Sequence, residues 1–479
     1  MQMKRYPLIL SFIVLSVQLH AQEMWGVANS YYAGSMGHDL NPASITGNPF
    51  RWELHLLSMD VSAMNNFMYL QRHSQAFKTG MNGEGVSQDK FKVRVSNSDK
   101  NANVDLFVKA PSFMYSTPKW GLGFHVATKM ALSVNGVPYH FANFMKEGFD
   151  FTQQQNADYS IKNMSMAAMN WHEAGLTGGL TLVNQPEAFI TAGVTLNYLY
   201  GMNGFYLNIN DFNYNVPSDT LWQISLANME YGYAFPDENS SFLQKRGSGF
   251  STSVGMQYYR NRNDAAYDNC SKVKGVKKYD YKMGFSVIDI GKINFNSQAS
   301  TFSINDAATN WYGIDSISPS SLSNTDSMLN SQFFGAQMTM NRGNSFDLWM
   351  PAAASFQFDY ACSPSFYLNF SAIQRLPMGE HAIKRPNQLS VTARFEMKRF
   401  EVAVPYSFYD YFRHRIGLSL RYSFLTVGTD MMGPFTGISD AYGLNFYVGI
   451  RWQHFESCAR KQRKADKKKV SADCYTDFK

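Results

Sequence analysis

The chain has 479 residues, of which 45% are hydrophobic, 17% charged and 15% aromatic, and its formal net charge is +6. Charge this sparse and aromatics this frequent exclude a disordered chain, which needs the reverse. They also exclude a coiled coil, which draws about half its residues from Ala, Glu, Lys, Leu and Arg. No window reaches the roughly 18 apolar residues of a membrane-crossing helix.

At the N-terminus, Lys4 and Arg5 precede the apolar run Leu8 to Val17, and Leu19-His20-Ala21 ends on a small residue. Basic, apolar and small-residue zones in that order predict a secretory signal peptide over 1–21, cut after Ala21. The rest is then expected to leave the cytoplasm. Loss of Lys4 and Arg5 lowers the charge to +4; residues 460–479 hold eight Lys/Arg against three Asp, or +5, so 22–459 is close to neutral at −1. The basic character belongs to a tail, 456–479, and not to a folded face, which argues against a nucleic-acid partner.

From residue 51 to about 455 the chain alternates with period two. In 122–134, Leu122, Phe124, Val126, Met130, Leu132 and Val134 share one face, and Gly123, His125, Lys129 and Ser133 share the other. In 188–203 the apolar set is Ala188, Ile190, Ala192, Val194, Leu196, Tyr198, Tyr200 and Met202, with Leu199 alone on the polar side. The same pattern recurs in 250–259, 416–424 and 444–453. Side chains alternate across a strand, and a tilted membrane strand needs about nine to eleven residues. Polar faces rich in Gly, Ser, Thr and Asn suit a lumen, with apolar faces turned to lipid. Aromatics near strand ends (Tyr115 and Trp120; Tyr258 and Tyr259; Trp452 and Phe455) suit interfacial belts. Short turns fall at Thr117-Pro118-Lys119 and Asn184-Gln185-Pro186. Long polar connections fall at 62–103, 135–162, 261–277 and 297–345.

These features predict an all-β fold, a transmembrane antiparallel β-barrel of about 14 strands (roughly 12–16). The expected strands start near 51, 104, 120, 164, 187, 219, 247, 279, 346, 364, 387, 400, 414 and 440. Counted from a periplasmic N-terminus, this list puts 297–345 on the periplasmic side, where connections are normally short.

Polar parity assigns Lys129, Glu173, Asp359, Arg394, Glu396, Glu401, Arg421 and Arg451 to the lumen, as ligand-binding or wall-shaping candidates. Charges there need pairing or hydration. No GxSxG, HExxH or phosphate-binding loop is present. In Trp171-His172-Glu173 the last two residues fall on opposite parities, so no dyad is expected. A non-enzymatic protein without cofactor or metal follows. Cys458 and Cys474 flank the basic run and could form a disulfide, one of three full pairings open to Cys270, Cys362, Cys458 and Cys474.

The stretches YYAGSMGHDLNPASITGNPFRWELHLL (31–57), VKAPSFMYS (108–116), WHEAGLTGGLTL (171–182), YKMGFSVIDIGKINF (281–295) and RIGLSLRYSFLTVGTDMMGPF (415–435) resemble a Bacteroidota outer-membrane β-barrel family of mostly unassigned function. That family is similar in plan to FadL-like fatty-acid transporters and to PorV-type barrels of type IX secretion. The resemblance implies that 22–50 is an N-terminal arm or hatch inside the barrel, with Asn41-Pro42-Ala43 at its centre. It implies a bacterial outer-membrane location, with membrane lipid as surroundings. It also implies passive uptake or binding of a hydrophobic or amphiphilic small molecule. The alternative is an accessory or scaffold barrel for protein export or surface assembly, with a periplasmic or secretion-machinery protein as partner. For that role the connection 62–103 and the segment Phe141 to Phe151 are docking candidates.

Overall fold

A computed structural model describes residues 24–74, 77–79, 86–87, 90–148, 151–185, 187–236, 240–263, 277–313, 322–334 and 341–454. The expected signal peptide, the basic tail and the Cys458–Cys474 pair lie outside these residues. Cys362 is exposed and carries a free thiol.

The chain starts inside the barrel and then forms β1 (Trp52–Asn65), a small hairpin of β2 (Met68–Tyr69) and β3 (Lys92–Val93), β4 (Lys100–Ser116) and β5 (Trp120–Val137). Helix α1 (Tyr139–Glu147) leads to the long strands β6 (Asp158–Asn184) and β7 (Ala188–Ser218), then β8 (Leu221–Ala234), β9 (Gly247–Arg260), β10 (Tyr281–Phe295) and β11 (Ala299–Tyr312). After helix α2 (Leu322–Phe334) come β12 (Asn341–Gly343), β13 (Phe346–Trp349), β14 (Ala353–Ala361), β15 (Phe366–Arg375), β16 (Gln388–Glu396) and β17 (Phe400–Tyr409). The last strands are β18 (Arg413–Ile416), β19 (Leu418–Tyr422), β20 (Leu425–Thr429) and β21 (Gly443–His454).

Fourteen antiparallel wall positions close the ring, because β1 pairs with both β4 and β21. Around the wall the order is β1, β4, β5, β6, β7, β9, β10, β14, β15, β16, β17, β18 with β19 as one interrupted strand, β20 and β21. The strand expected near 219 is not in this wall. The lower half of β7 pairs with β9 (Ala188 opposite Arg260, Gly201 opposite Gly247), while its upper half pairs with β8 (Gly204 opposite Ala234). Strands β8 and β11 extend the sheet beyond the ring. The missing wall position is filled by β20, which starts at none of the expected positions. Two errors cancel in the count, and correcting them moves 297–345 to the long-loop end, where long connections belong.

The alternation has its expected physical sense. On β7, Val194, Leu196 and Tyr198 are exposed, while Thr191, Thr195 and Asn197 are buried. On β21, Leu444, Phe446 and Trp452 are exposed, while Asn445, Tyr447 and Arg451 are buried. A polar interior behind an apolar exterior is the arrangement of a membrane barrel. At the short-turn end, Thr117 closes the β4–β5 turn: its Oγ1 accepts from Trp120 N at 2.9 Å. Tyr115 and Trp120 pack across that turn at a tilt of 38°, with centroids 5.6 Å apart. At the other end, the extension has its own apolar core, with Phe144, Ile161, Phe212, Tyr214, Ile224, Ile304 and Trp311 packed between sheet and helices.

Candidate functional site

Residues 24–50 lie within the lumen and nearly all are buried. Hydrogen bonds between wall and hatch run both ways, and several are donated by the wall to the hatch's main-chain carbonyls. Lys282 Nζ reaches Asn29 O at 2.8 Å, Arg451 Nη1 reaches Tyr32 O at 3.1 Å, and Lys109 Nζ reaches Ser35 O at 3.0 Å. Ser286 Oγ and Thr191 Oγ1 donate to Leu40 O and Ala43 O at 2.6 and 3.2 Å. Asn41 turns the chain. Its Oδ1 accepts from Ala43 N at 3.1 Å, capping the short helix Pro42–Ile45, and its Nδ2 donates to Gln357 Oε1 at 3.0 Å and Met256 O at 3.2 Å.

Small wall residues make room for this segment. A Cβ on Gly255 would lie 2.2 Å from Asn41 Oδ1, and one on Gly121 would lie 2.6 Å from Ile45 O. A missing side chain on the inner face lets two backbones approach. Inward glycines on β5, β6, β7, β9 and β10 were the signal in the sequence for the seat of the hatch.

The eight lumen candidates separate into two groups. Asp359, Arg394, Glu396, Glu401 and Arg421 form one network below the hatch, all nearly fully buried. Arg394 bonds Asp359 Oδ2 at 2.9 Å and Glu396 Oε2 at 2.8 Å, and Arg421 bonds Glu401 Oε2 at 3.0 Å. Glu396 and Glu401 stand directly opposite each other across β16 and β17. Like charges so placed repel, and Arg394, Arg421 and Lys278, which pairs with Glu396, offset this. Arg451 adjoins the network with Glu53 Oε2 at 3.7 Å. The hatch joins in through Ser30 Oγ, which donates to Glu401 Oε2 at 2.8 Å.

Lys129 and Glu173 are elsewhere, paired at 2.9 Å on the far side of the hatch. His125 Nε2 lies 3.3 Å from the same carboxylate, and Trp171 Nε1 donates to its other oxygen at 3.3 Å. His172 faces outward and pairs with Thr128 Oγ1 at 2.8 Å, so it and Glu173 occupy opposite faces.

Above this pair a second segment crosses the barrel. Residues 376–387 join β15 to β16 yet contact the opposite wall: Lys384 N donates to Ser133 Oγ at 3.0 Å on β5, and its Nζ to Ser165 Oγ at 2.6 Å on β6. Arg385 Nη2 pairs with Asp289 Oδ2 at 3.0 Å. Asp289 was not among the expected lumen residues, because strict parity on β10 turns it outward. A bulge between Val287 and Ile290 reverses it, with Asp289 at φ 57° and its N–H on Ser253 Oγ at 3.0 Å. Bulges re-aim a side chain in this way, and parity alone does not reveal them.

Between hatch and crossing segment lies a cavity of about 150 Å³. Met24, Met36 and Leu40 of the hatch form its floor, with Phe107, Met130, Trp171 and Ile288 as apolar wall. Lys129, Glu173, His125 and Asp289 supply polar wall, and Pro351, Arg385 and Pro386 border it from the crossing segment.

Two other clusters bear on chemistry. Ser35 Oγ is 2.5 Å from Glu53 Oε1 and 2.6 Å from His55 Nδ1. A nucleophilic triad needs the acid on the histidine; here the acid bonds the serine, and the group ties the hatch to β1. At the loop end, ligand-type atoms of Glu230, Glu380 and His381 lie within 4.8 Å of one another. Asn208 Nδ2 already bridges that group, 3.0 Å from Glu230 Oε1 and 2.9 Å from His381 Nδ1.

Among solved structures, the toluene transporter TodX of P. putida is 10% identical, covering 92% of this chain and 100% of its own, with a TM-score of 0.42. A FadL homologue of Pseudomonas aeruginosa is 10% identical, covering 91% and 99%, at 0.40. The toluene transporter TbuX of Ralstonia pickettii is 9% identical, covering 92% and 100%, at 0.30. Likeness at these scores adds nothing to the fold read from the strand order. No curated protein matches the chain. A family model does match, over residues 42–430, from the hatch turn to the strand before the last, and the chain belongs to that family, described as a family of unknown function (DUF5723).

Proposed function

We propose that the protein is a bacterial outer-membrane barrel that binds a small hydrophobic or amphiphilic molecule and passes it when the hatch shifts. The observation that carries this is the cavity between hatch and crossing segment, lined by both apolar and charged side chains. Its volume limits the ligand. Sites for drug-sized ligands run to roughly 300–1,000 Å³, whereas an apolar cavity of about 150 Å³ accepts one benzene ring. A long-chain fatty acid exceeds the space in this conformation, and a molecule of about one ring fits it. Movement would be passive, down a gradient. Part of the hatch's hold on the wall is polar contacts to its carbonyls, which water can replace, and the rest is apolar packing around Trp25, Met36 and Ile45.

The runner-up is an accessory barrel for protein export or surface assembly. What favours it is the sheet extension of β7, β8 and β11 with its helices, built outside the ring at the long-loop end.

The test is uptake of benzyl alcohol into proteoliposomes holding the purified barrel, after heat-shifted gel mobility has established a closed barrel in the outer-membrane fraction. Uptake above empty liposomes supports the first reading. A folded barrel that neither binds nor passes the probe overturns it and leaves the accessory reading.

A further inference from the structure

The rim at the short-turn end is basic. Among the described residues, its exposed and half-buried cations are Arg51, Lys119, Arg260, Arg262, Lys277, Lys398 and Arg399, and its acids are Glu187 and Asp280. Seven cations against two acids give this rim a positive field, which attracts the anionic surface of a membrane leaflet. Both acids belong to one side of the ring. Asn261, next to Arg260, donates through its side chain to Asp280 Oδ2 and through its N–H to Glu187 O. Lys398 and Arg399 lie several strands further round, on the turn that joins β16 to β17. Burial, and then the charge of Arg399 beside it, hold the Lys398 ammonium below the ordinary lysine range. Neighbouring like charges disfavour each other, and an anion between them relieves both.

This turn is fixed from within. Arg421 donates to Met397 O at 2.8 Å and to Lys398 O at 3.1 Å, and Ser423 N donates to Arg399 O at 2.6 Å. All three carbonyls of 397–399 are thus taken up by the barrel, so they do not compete with an anion for the two cations. The lipid-facing wall around the turn is aromatic. Phe395 precedes it, Phe400 follows it, and Phe400 stands opposite Tyr422 on β19. Tyr422 is 68% exposed, and Phe424 in the next turn is 58% exposed. Rings placed this way sit at headgroup level, and a tyrosine adds a hydroxyl donor.

We propose that residues 397–399, with Tyr422, bind the phosphate headgroup of a membrane lipid. The proposal rests on reading the protein as an outer-membrane barrel. Arg399 would take two phosphate oxygens at once, a geometry its planar fork suits. Lys398 would add its charge, and the acyl chains would run along the wall over Phe395 and Phe400.

Three probes separate headgroup from chains: phosphatidylglycerol, diacylglycerol with the same chains, and inorganic phosphate. Retention of each lipid by the full-length barrel in a nonionic detergent is measured, with and without inorganic phosphate as competitor. Phosphatidylglycerol should be retained at least tenfold better than diacylglycerol, and equimolar inorganic phosphate should displace little of it. In Lys398→Gln/Arg399→Gln the preference should fall about tenfold or more, whereas Arg51→Gln/Lys119→Gln, at another part of the rim, should keep it. Heat-shifted gel mobility checks that each variant is a closed barrel, and the wild-type ranking decides even if one is not. Equal retention of the two lipids by a barrel that shows the heat shift overturns the headgroup site and leaves the barrel reading intact. No loss in the first variant, or equal losses in both, overturns the assignment to 397–399. Displacement by inorganic phosphate overturns a lipid as the ligand. A wild-type protein that shows no heat shift and retains neither lipid overturns the barrel reading and the site together.

Discussion

A Cβ placed on Gly193 of β7 would stand 2.5 Å from the carbonyl carbon of Pro42, so wall and hatch meet there backbone to backbone. No rotamer can relieve that contact, because the atom in the way is main chain. Gly193→Val is therefore expected to lift the hatch from its seat while the lipid-facing neighbours Ala192 and Val194 stay as they are. Proteoliposomes of the variant should pass benzyl alcohol several-fold faster than wild type, with the heat-shifted band unchanged. An unchanged rate would mean that the hatch does not limit passage.

Arg394 is the central cation of the lower network, bonded to both Asp359 and Glu396. Removing one partner of a buried pair costs about 3–5 kcal/mol, because the remaining charge stays in low dielectric. Arg394→Met should lower the temperature at which the folded gel band converts to the unfolded one. Adding Asp359→Leu should recover part of the loss, since it removes a carboxylate that the first change strands. Equal conversion temperatures for wild type and Arg394→Met would show that water already screens the network.

The crossing segment can be pinned. Lys384 N and Ser133 Oγ are 3.0 Å apart, so cysteines at both positions are close enough to join. Oxidised Ser133→Cys/Lys384→Cys barrels should bind benzyl alcohol slowly or not at all, and reduction should restore wild-type rates. Undiminished binding in the oxidised form would place the entry route elsewhere.

Acidity should act on the outer helix. His140 of α1 stacks on Tyr159 with centroids 4.4 Å apart, and burial holds its imidazole below the ordinary histidine range. The sign follows from linkage: the folded state keeps the ring neutral, so its contribution is complete above about pH 6.5 and shrinks as pH falls below that value. Hydrogen-exchange protection factors over 139–147 should fall between pH 7.5 and 5.5, and His140→Leu should abolish the difference. Equal protection at both pH values would remove His140 from the packing of α1.

The period-two pattern made the wall legible, because lipid outside and polar lumen inside leave opposite marks on alternate residues. It did not separate β8 from the wall. Ile224, Ala227 and Tyr231 of β8 are buried in the extension's core, and at 14 residues the strand is long enough to cross a membrane. Strand β20 escaped for the opposite reason: Leu425–Thr429 is five residues long and ends at Asp430-Met431-Met432-Gly433-Pro434. Parity placed Glu173, Arg394 and Arg421 inside, but it could not say that Lys129 and Glu173 lie on one side of the hatch and Arg394 on the other. Asp289 was hidden by its bulge, and 376–387 reads only as a polar connection because its contacts are with strands far away in the chain.

Strands β6 and β7 run 27 and 31 residues, whereas β14 to β17 run nine or ten. At about 3.3 Å per residue, one side of the barrel is roughly three times as tall as the other. The barrel is thus cut on a slant, with a parapet on one side and a low sill on the other. Residues 376–387 spring from the sill and fasten to the inner face of the tall side. A solute coming from the loop end would meet the parapet first and be turned toward the sill, where the crossing segment is rooted.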